Sequence, residues 1–497
     1  MNIDLKTSRS EGVTDAERYL KKLCEHSFLS MWSYVGVFNG KGTGQEVCDL
    51  LVVFDNHIII FSDKDCEFPN IEDRELAWKR WYKKAVKKSA DQIYGAERWI
   101  LKYPDRIFLD QTCKIPFPIN LPSPERTKIH RILVAHSASA KCAEILGGSG
   151  SLMIDTEIVG DAQLFTIGKV EKSKGYIHVL DDTSLDILLN TLDTISDFVN
   201  YLEKKEQFLT KEIAVFSTGE EELLSSYLKD INGNDEHDFV FEEDIREFTA
   251  ICLDDEGSWA KFLQSPQRKA QIKANEISYA WDGLIETFTQ HIFSGTSYHN
   301  SSDNINDQEI ILRFLARENR TRRRMLSKTL LEFIEKIPKG YRATRTLLPS
   351  KKGDPYYVFL LFPYISKFMS YEDYRRVRGE LLSDYCCIVK LNYPDAEDII
   401  GIATETARDI YGSEDAMYIN VRAWTEENII YAESVKSELE SKGFIGKSQQ
   451  VFRGVEKEYP DIPSVNEIED FKKNKGRMKN QPCPCQSGKK FEKCCGT

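Results

Sequence analysis

The 497-residue chain lacks any long apolar segment. No apolar run approaches the roughly 20 residues that a bilayer-spanning helix needs, and the N-terminal stretch MNIDLKTSRSEGVTDAER has no apolar signal-peptide core. Long-period repeats are also absent, and GKGTG at 40–44 lacks the spacing of a phosphate-binding loop, so we interpret it as a hairpin turn. We therefore expect a cytoplasmic protein without a membrane segment.

An excess of positive charge is missing too, since the net charge is −12. This charge disfavours a nonspecific polyanion binder, although local basic faces matter more than the total. One basic face lies on a predicted helix at 74–101, where Trp81 is interleaved among basic residues. Such a face can bind along a phosphate backbone, but more commonly it is a solvated surface. A second basic segment lies at Arg317–Arg324. We expect its arginines either to bind phosphates or to form ion pairs with the acidic middle of the chain.

The stretch Gln45–Lys64, QEVCDLLVVFDNHIIIFSDK, is predicted to form a β-hairpin. Its apolar runs at 50–54 and 58–61 are short and rich in Val, Ile and Leu, as strands buried on two faces are. Turn residues separate the two runs. Charged residues at the ends of buried strands are costly unless they are paired or bind something; here they are Glu46, Asp49, Asp63 and Lys64.

The elements around this hairpin extend it to an α-β-β-β-α-β order within residues 1–215. The first helix, at 14–26, is predicted to begin with a capping box between Thr14 and Glu17. After the hairpin come the helix at 74–101 and a buried strand at 129–136.

The chain is too long for a single core, so we predict a multidomain α/β protein. A mainly helical region is expected at 216–305 and a second α/β domain at 306–460, in which CCIVKLNY at 386–393 is predicted as a strand. Residues 461–497 read as a linker followed by a cysteine-rich tail. The second α/β domain contains no catalytic spacing.

The layout of the hairpin resembles the PD-(D/E)XK nuclease superfamily, which has the restriction-endonuclease-like fold. In that family a helix carries an acid, one strand carries a metal-binding Asp, the next ends in acid-x-Lys, and a following helix often bears a Gln. The matching residues are Glu17, Asp49, Lys64 and Gln92, with Glu46 as a spare acid beside Asp49. The resemblance implies that carboxylates hold Mg²⁺ or Mn²⁺ at the scissile phosphate and that the lysine activates the attacking water.

One position departs from that family. The acid of acid-x-Lys falls at Ser62, and Asp63 points to the other face of the strand. Three alternatives stay open: Asp63 reaches the metal through a distorted strand end, Glu17 and Glu46 supply the missing ligand, or the fold persists without catalysis. Three histidines on predicted strands could also be metal ligands: His57, His130 and His136. Lone strand histidines are more often structural, so we do not favour them as ligands.

The tail CPCQSGKKFEKCC contains four of the twelve cysteines. Four thiolates can hold one zinc ion in a closed tetrahedron, which makes a structural site; the ligands would be Cys483, Cys485, Cys494 and Cys495. The stretch resembles the SEC-C motif, including Pro484, Gly488 and Phe491. This motif is best known at the end of the bacterial preprotein translocase motor, where it contacts a chaperone and the ribosome, and it also occurs as an appended module. The resemblance implies structural Zn²⁺ and a protein partner.

These features lead to two hypotheses. The first is a Mg²⁺-dependent endonuclease with DNA as the expected nucleic-acid substrate, RNA left open, and a zinc knuckle for docking. By analogy of architecture, such an enzyme would suit antiviral defence in bacteria. The second is a non-catalytic adaptor that binds protein or nucleic acid through the SEC-C motif and the α/β domains. A homo-oligomer is compatible with either hypothesis.

Overall fold

The structure is a computed structural model. It describes the following residues: 9–42, 44–233, 236–241, 249–253, 257–298, 302, 304–406, 412–445, 456–460, 472–473, 475–481 and 490–493. Within these ranges, no helix is both long and apolar enough to cross a membrane.

The first half of the chain alternates helices with strands. In chain order its elements are α1 Asp15–Phe28, β1 Ser33–Asn39, β2 Glu46–Phe54, β3 His57–Lys64, α2 Arg74–Tyr82, a π-helix at Lys83–Lys87, α3 Lys88–Lys102, β4 Ile107–Phe108, β5 Lys128–Ala135, α4 Ser139–Leu146, β6 Met153–Val159, β7 Thr166–Lys169, β8 His178–Leu180, α5 Asp182–Thr191, α6 Ile195–Leu209 and β9 Ala214–Ser217.

The second half contains more helix. Its elements are α7 Glu220–Lys229, β10 Ala250–Leu253, α8 Ser258–Gln264, α9 Pro266–Asn275, a 3₁₀ turn at Glu276–Ser278, α10 Tyr279–Ser294, α11 Ile305–Arg317, α12 Arg320–Lys336, β11 Ala343–Leu347, β12 Tyr356–Leu361, α13 Tyr371–Asn392, β13 Asp398–Thr404, β14 Glu414–Asn420, α14 Glu426–Ser441, α15 Lys475–Met478 and a 3₁₀ turn at Phe491–Lys493.

A six-stranded sheet in the order β4-β1-β2-β3-β5-β8 forms the centre of the first half. Strands β1, β2 and β3 are an antiparallel meander, whereas β5 lies parallel to β3 and is reached through α2, the π-helix and α3. The stretches 50–53 and 58–61 are buried throughout, because helices cover the sheet on both sides. The apolar runs of the sequence therefore form the middle of this sheet.

Two smaller sheets complete the architecture. One has the order β10-β9-β6-β7, and the other has the order β11-β12-β13-β14. In the latter, α13 crosses between the parallel strands β12 and β13, so the C-terminal half is also mixed α/β. The predicted α/β class is confirmed at this level, while the restriction-endonuclease-like assignment, the zinc knuckle and the domain boundaries at 215, 305 and 460 stay predictions.

The strand predicted at 386–393 is wrong, because residues 386–392 form the last turns of α13. Leu382, Cys386 and Val389 recur at helical spacing and pack against β13 and α14. The apolar run is therefore one buried helix face, and periodicity over so short a stretch cannot separate a buried helix end from a strand.

Candidate functional site

The β2–β3 hairpin fixes which side chains meet at its open end. Phe54 pairs with His57 across a two-residue loop, where Asp55 adopts a positive φ of 58°. The register continues to the Leu50–Phe61 pair, so one further step places Asp49 opposite Ser62. The short loop thus aligns the acid of one strand with the end of the next.

Asp49 is partly buried at this open end. Its Oδ2 accepts a hydrogen bond of 2.6 Å from the Asp63 backbone N–H. Burial raises the pKa of Asp49 to about 6, with the charges of Asp63 and Glu17 adding to the rise against the hydrogen bond. Burial likewise raises the pKa of Glu46 to about 7, with Asp49 and Glu17 contributing. We call Glu17, Glu46 and Asp49 the acidic cluster.

Glu17 has the capping role that the sequence predicts. Its Oε2 accepts the Val13 N–H at 2.6 Å and the Thr14 N–H at 3.4 Å, and the Thr14 hydroxyl accepts the Glu17 N–H. The capping box therefore holds the Glu17 carboxylate at the N-terminus of α1. Its charge still acts on both other members of the acidic cluster.

The acidic cluster is not drawn tightly around one point. A metal ion needs at least three ligand atoms close together. Among the described residues, three such atoms from His, Cys, Asp or Glu side chains lie within 4.8 Å of one another at His57, His130 and Glu203, and not in the acidic cluster. A cation at the acidic cluster would therefore need its carboxylates to move closer together.

Asp63 turns into the protein, where it meets two residues that the sequence did not associate with it. Its Oδ1 lies 2.6 Å from His136 Nε2, and His136 Nδ1 lies 2.5 Å from Asp182 Oδ1. Burial opposes the charge of His136, but the hydrogen bonds to Asp182 and Asp63 outweigh it and raise the pKa of His136 to about 10. Asp63 Oδ2 is buried and has no hydrogen-bond partner within the described structure.

The other predicted residues lie at the surface of this region. The Lys64 and Gln92 side chains are exposed, and neither makes an ion pair or hydrogen bond within the described ranges. Ser62 is buried, and a hydrogen bond from its hydroxyl to the Asp49 carboxylate lowers the pKa of Asp49, against the larger effect of burial. Lys64 is therefore free to approach a ligand that reaches the acidic cluster.

The hydrogen bonds of His136 to the Asp63 and Asp182 carboxylates should make folding pH-dependent. Because the folded pKa of His136 is about 10 and the unfolded value is about 6.5, this stabilisation is complete below about pH 6.5 and is lost as the pH rises through 10. His136→Gln should cost about 3 kcal/mol at pH 6 and much less at pH 10.

Urea denaturation in EDTA buffer at pH 6, 8 and 10 measures this effect. His291→Gln is a matched control, because His291 is exposed and, within the described ranges, its side chain makes one hydrogen bond, to Thr296. Parallel pH profiles for the wild type and His136→Gln would show that His136 does not carry the linkage.

A second cluster lies at the opposite end of β3. His57 Nδ1 is 3.0 Å from His130 Nε2 and 3.8 Å from Glu203 Oε1. Burial lowers the pKa of His57 and lowers that of His130 to about 3. The sequence pattern favours structural roles for His57 and His130, and it contains no signal for Glu203, which reaches them from α6 in a part of the chain without distinctive spacing.

Of the two alternatives for the basic face of this helix, the one in which Trp81 takes part in nucleic-acid binding is wrong. Trp81 is fully buried, and its Nε1 donates to the carbonyls of Cys66 and His136, each at 3.1 Å. The neighbouring Lys83, Lys84, Lys87 and Lys88 remain exposed. The basic face of this helix thus lacks the aromatic residue that would stack on bases.

The arginine run at 317–324 pairs mainly with acids. Arg320 forms ion pairs with Asp193 at 2.8 Å and Asp282 at 2.7 Å, and Arg323 also binds Asp282 at 2.7 Å. Arg324 binds Glu456 at 2.8 Å. Of the two predicted roles, pairing with the acidic middle of the chain therefore describes Arg320 and Arg323.

The cysteines of the tail, Cys483, Cys485, Cys494 and Cys495, lie outside the described residues. Their flanks are described. The Phe491 N–H donates to the Gln481 carbonyl at 2.9 Å, the Glu492 N–H donates to the Lys479 carbonyl at 3.2 Å, and Phe491 is buried. These contacts bring together the two segments that lead into the cysteine pairs.

Comparison with known proteins gives a result for the same region. The SEC-C motif family matches residues 480–497. A protein translocase subunit SecA from Trichlorobacter lovleyi is 33% identical over 99 residues, which is 18% of this chain and 10% of that protein. The chain thus matches only about a tenth of that relative's length. No solved structure matches the chain. Residues 480–497 therefore carry a SEC-C motif.

Proposed function

We propose that the N-terminal α/β region is a divalent-metal-dependent nuclease and that the SEC-C motif holds structural Zn²⁺ and docks a protein partner. The observation that carries the first part is the pair of carboxyls with raised pKa values, Glu46 and Asp49, at the open end of the β2–β3 hairpin. The order α1-β1-β2-β3-α3-β5 supports it, because it agrees with the α-β-β-β-α-β core that the resemblance implies.

Mg²⁺ or Mn²⁺ fits the chemistry of this region. Both ions prefer carboxylate oxygens, and a divalent cation would relieve the repulsion that helps to raise the pKa values of Glu46 and Asp49. Asp63 Oδ2 supplies a further buried oxygen without a partner among the described residues. Asp49 and Glu46 would hold the cation, and Asp63 or Glu17 would complete its ligands in place of the acid that Ser62 replaces.

These positions indicate the role of the cation and of each neighbouring side chain. A bound cation would polarise the scissile phosphodiester and stabilise the leaving oxygen. Lys64 carries an exposed ammonium at the end of β3, where it can offset phosphate charge and orient the attacking water. His136 holds Asp63 in place through a hydrogen bond of 2.6 Å.

An adaptor without catalytic activity is the alternative. The capping box occupies Glu17, His136 binds Asp63, and the acidic cluster is spread wider than a preformed metal site. On this alternative the α/β core is a scaffold and the SEC-C motif is the functional element. DNA or RNA then remains uncleaved under all metal conditions.

Cleavage assays separate the two proposals. Plasmid DNA, linear DNA and RNA are incubated with Mg²⁺, Mn²⁺ or EDTA, and Lys64→Ala is compared with Lys88→Ala, a change at an exposed lysine on α3 that is not part of the proposed site. We expect metal-dependent cleavage that Lys64→Ala lowers about 100-fold and Lys88→Ala leaves unchanged. Failure of every substrate to be cleaved, or equal rates for the wild type and Lys64→Ala, would support the adaptor.

A further inference from the structure

The amino ends of β3 and β5 bring two imidazoles and a carboxylate together. His57 begins β3 and His130 lies near the start of β5, and the parallel register of these strands places His130 opposite Ile59. Glu203 extends from α6 toward both rings. The three ligand atoms lie within 4.8 Å of one another. We call these three residues the histidine cluster.

The distances in the histidine cluster suit a metal ion. Imidazole nitrogens bind zinc at about 2.0–2.1 Å, so two nitrogens 3.0 Å apart can share one ion at an angle near 90°. The Glu203 oxygen, 3.8 Å from His57 Nδ1, needs only a small side-chain movement to join them.

The histidine cluster is reachable from solvent. His57 lines a cleft of about 2020 Å³ that also contacts α12, β11 and α13. The His57 and Glu203 side chains are 17% and 26% exposed, whereas His130 is buried. An ion can therefore enter from the cleft and meet the buried ligand last.

Lys128 is the residue that competes with a cation here. Its Nζ lies 2.7 Å from Glu203 Oε1, and its side chain is 51% exposed. Because Lys128 is largely in water, it can swing away at little cost when Glu203 turns to a metal. In the metal-free protein it neutralises the carboxylate.

We propose that His57, His130 and Glu203 form a binding site for a divalent transition-metal ion, such as Zn²⁺, at the edge of this cleft. Two imidazoles and one carboxylate are a donor set that zinc and other first-row ions accept, and three protein ligands leave a position for water or a ligand. The site is separate from the acidic cluster, which lies at the other end of β3, and the proposal does not rest on nuclease activity.

Zinc binding to the full chain tests this proposal, provided that the tail cysteines are accounted for. In a variant with Cys483, Cys485, Cys494 and Cys495 all changed to serine, we expect one Zn²⁺ per chain by equilibrium dialysis with elemental analysis. Co²⁺ bound to the same variant should show d–d absorption without the thiolate charge-transfer bands that a cysteine site gives.

Substitutions in that four-serine background assign the ligands. His57→Gln and Glu203→Gln should each weaken Zn²⁺ binding at least tenfold, while Lys128→Met should tighten it by removing the competitor for Glu203. His291→Gln, at an exposed histidine distant in sequence from the cluster, should change nothing. Circular dichroism confirms that each variant is folded.

Two results would overturn the site. One is a four-serine protein that is folded and binds no Zn²⁺ or Co²⁺. The other is binding that neither His57→Gln nor Glu203→Gln alters. In either case the three residues form a hydrogen-bonded group in which one imidazole donates to the other.

Discussion

Asp282→Ala is expected to lower the free energy of unfolding by about 3–5 kcal/mol, the cost of breaking a buried ion pair by removing one partner. Asp282 lies on α10 and accepts a 2.7 Å hydrogen bond from each of Arg320 and Arg323. The side chains of these arginines are only 7% and 1% exposed. Removing the carboxylate therefore abolishes the ion pair of Arg323, while Arg320 keeps its ion pair with Asp193.

Urea denaturation at neutral pH measures this loss. Glu332→Ala is the matched control, because Glu332 forms an i,i+4 pair with Lys336 on α12 in which both side chains are well exposed; such pairs contribute about 0.3–0.5 kcal/mol. Arg323→Met, which removes the buried charge along with its pairing, should restore part of the stability to Asp282→Ala. A loss below about 1 kcal/mol for Asp282→Ala would contradict the strong dependence expected of a buried pair.

Asp49→Asn should reduce metal-dependent cleavage about 1000-fold, if the proposed nuclease is correct. A ligand that helps to place the cation contributes several kcal/mol to transition-state stabilisation, and about 4 kcal/mol corresponds to this factor. Asparagine keeps a side-chain oxygen for the Asp63 N–H, so the hairpin should stay folded. The variant thus removes charge with little change in shape.

The comparison for Asp49→Asn is Asp91→Asn, since Asp91 is an exposed acid on α3 that pairs with Lys174. Mn²⁺ affinity, followed by electron paramagnetic resonance, gives a readout apart from activity. Because the carboxyls titrate with pKa values of about 6 and 7, Mn²⁺ affinity should rise between pH 5.5 and 7.5 as they lose protons. His57→Gln in the same assay separates this ion from one at the histidine cluster. Equal cleavage and equal Mn²⁺ affinity for the wild type and Asp49→Asn would remove Asp49 from the site.

Local sequence signals were sufficient where neighbouring residues determine the structure. The apolar runs at 50–54 and 58–61 predicted β2 and β3, and the spacing of Thr14 and Glu17 predicted the capping box of α1. A two-residue loop then sets the register, which places Asp49 near the end of β3. These parts of the candidate site depend on contacts close along the chain.

Contacts between distant segments were not predictable in the same way. His136 meets Asp63 and Asp182 only because β3 and β5 are parallel neighbours and α5 begins beside their carboxyl ends. Trp81 falls among lysines in the sequence, yet its side chain is buried under the loops after β3 and β5. A helical pattern gives the spacing of such residues but not the partner that covers them.

The π-helix at Lys83–Lys87 has a consequence for the long helical segment that crosses from β3 to β5. Its i→i+5 turn absorbs one residue more than an α-helical turn, which corresponds to a rotation of about 100° in a regular helix. Trp78 before it and Ile93 after it are both buried. The π-turn thus changes which face of α3 is directed toward the core. Deleting one residue from it would rotate α3 about its axis and turn Ile93 away from the core.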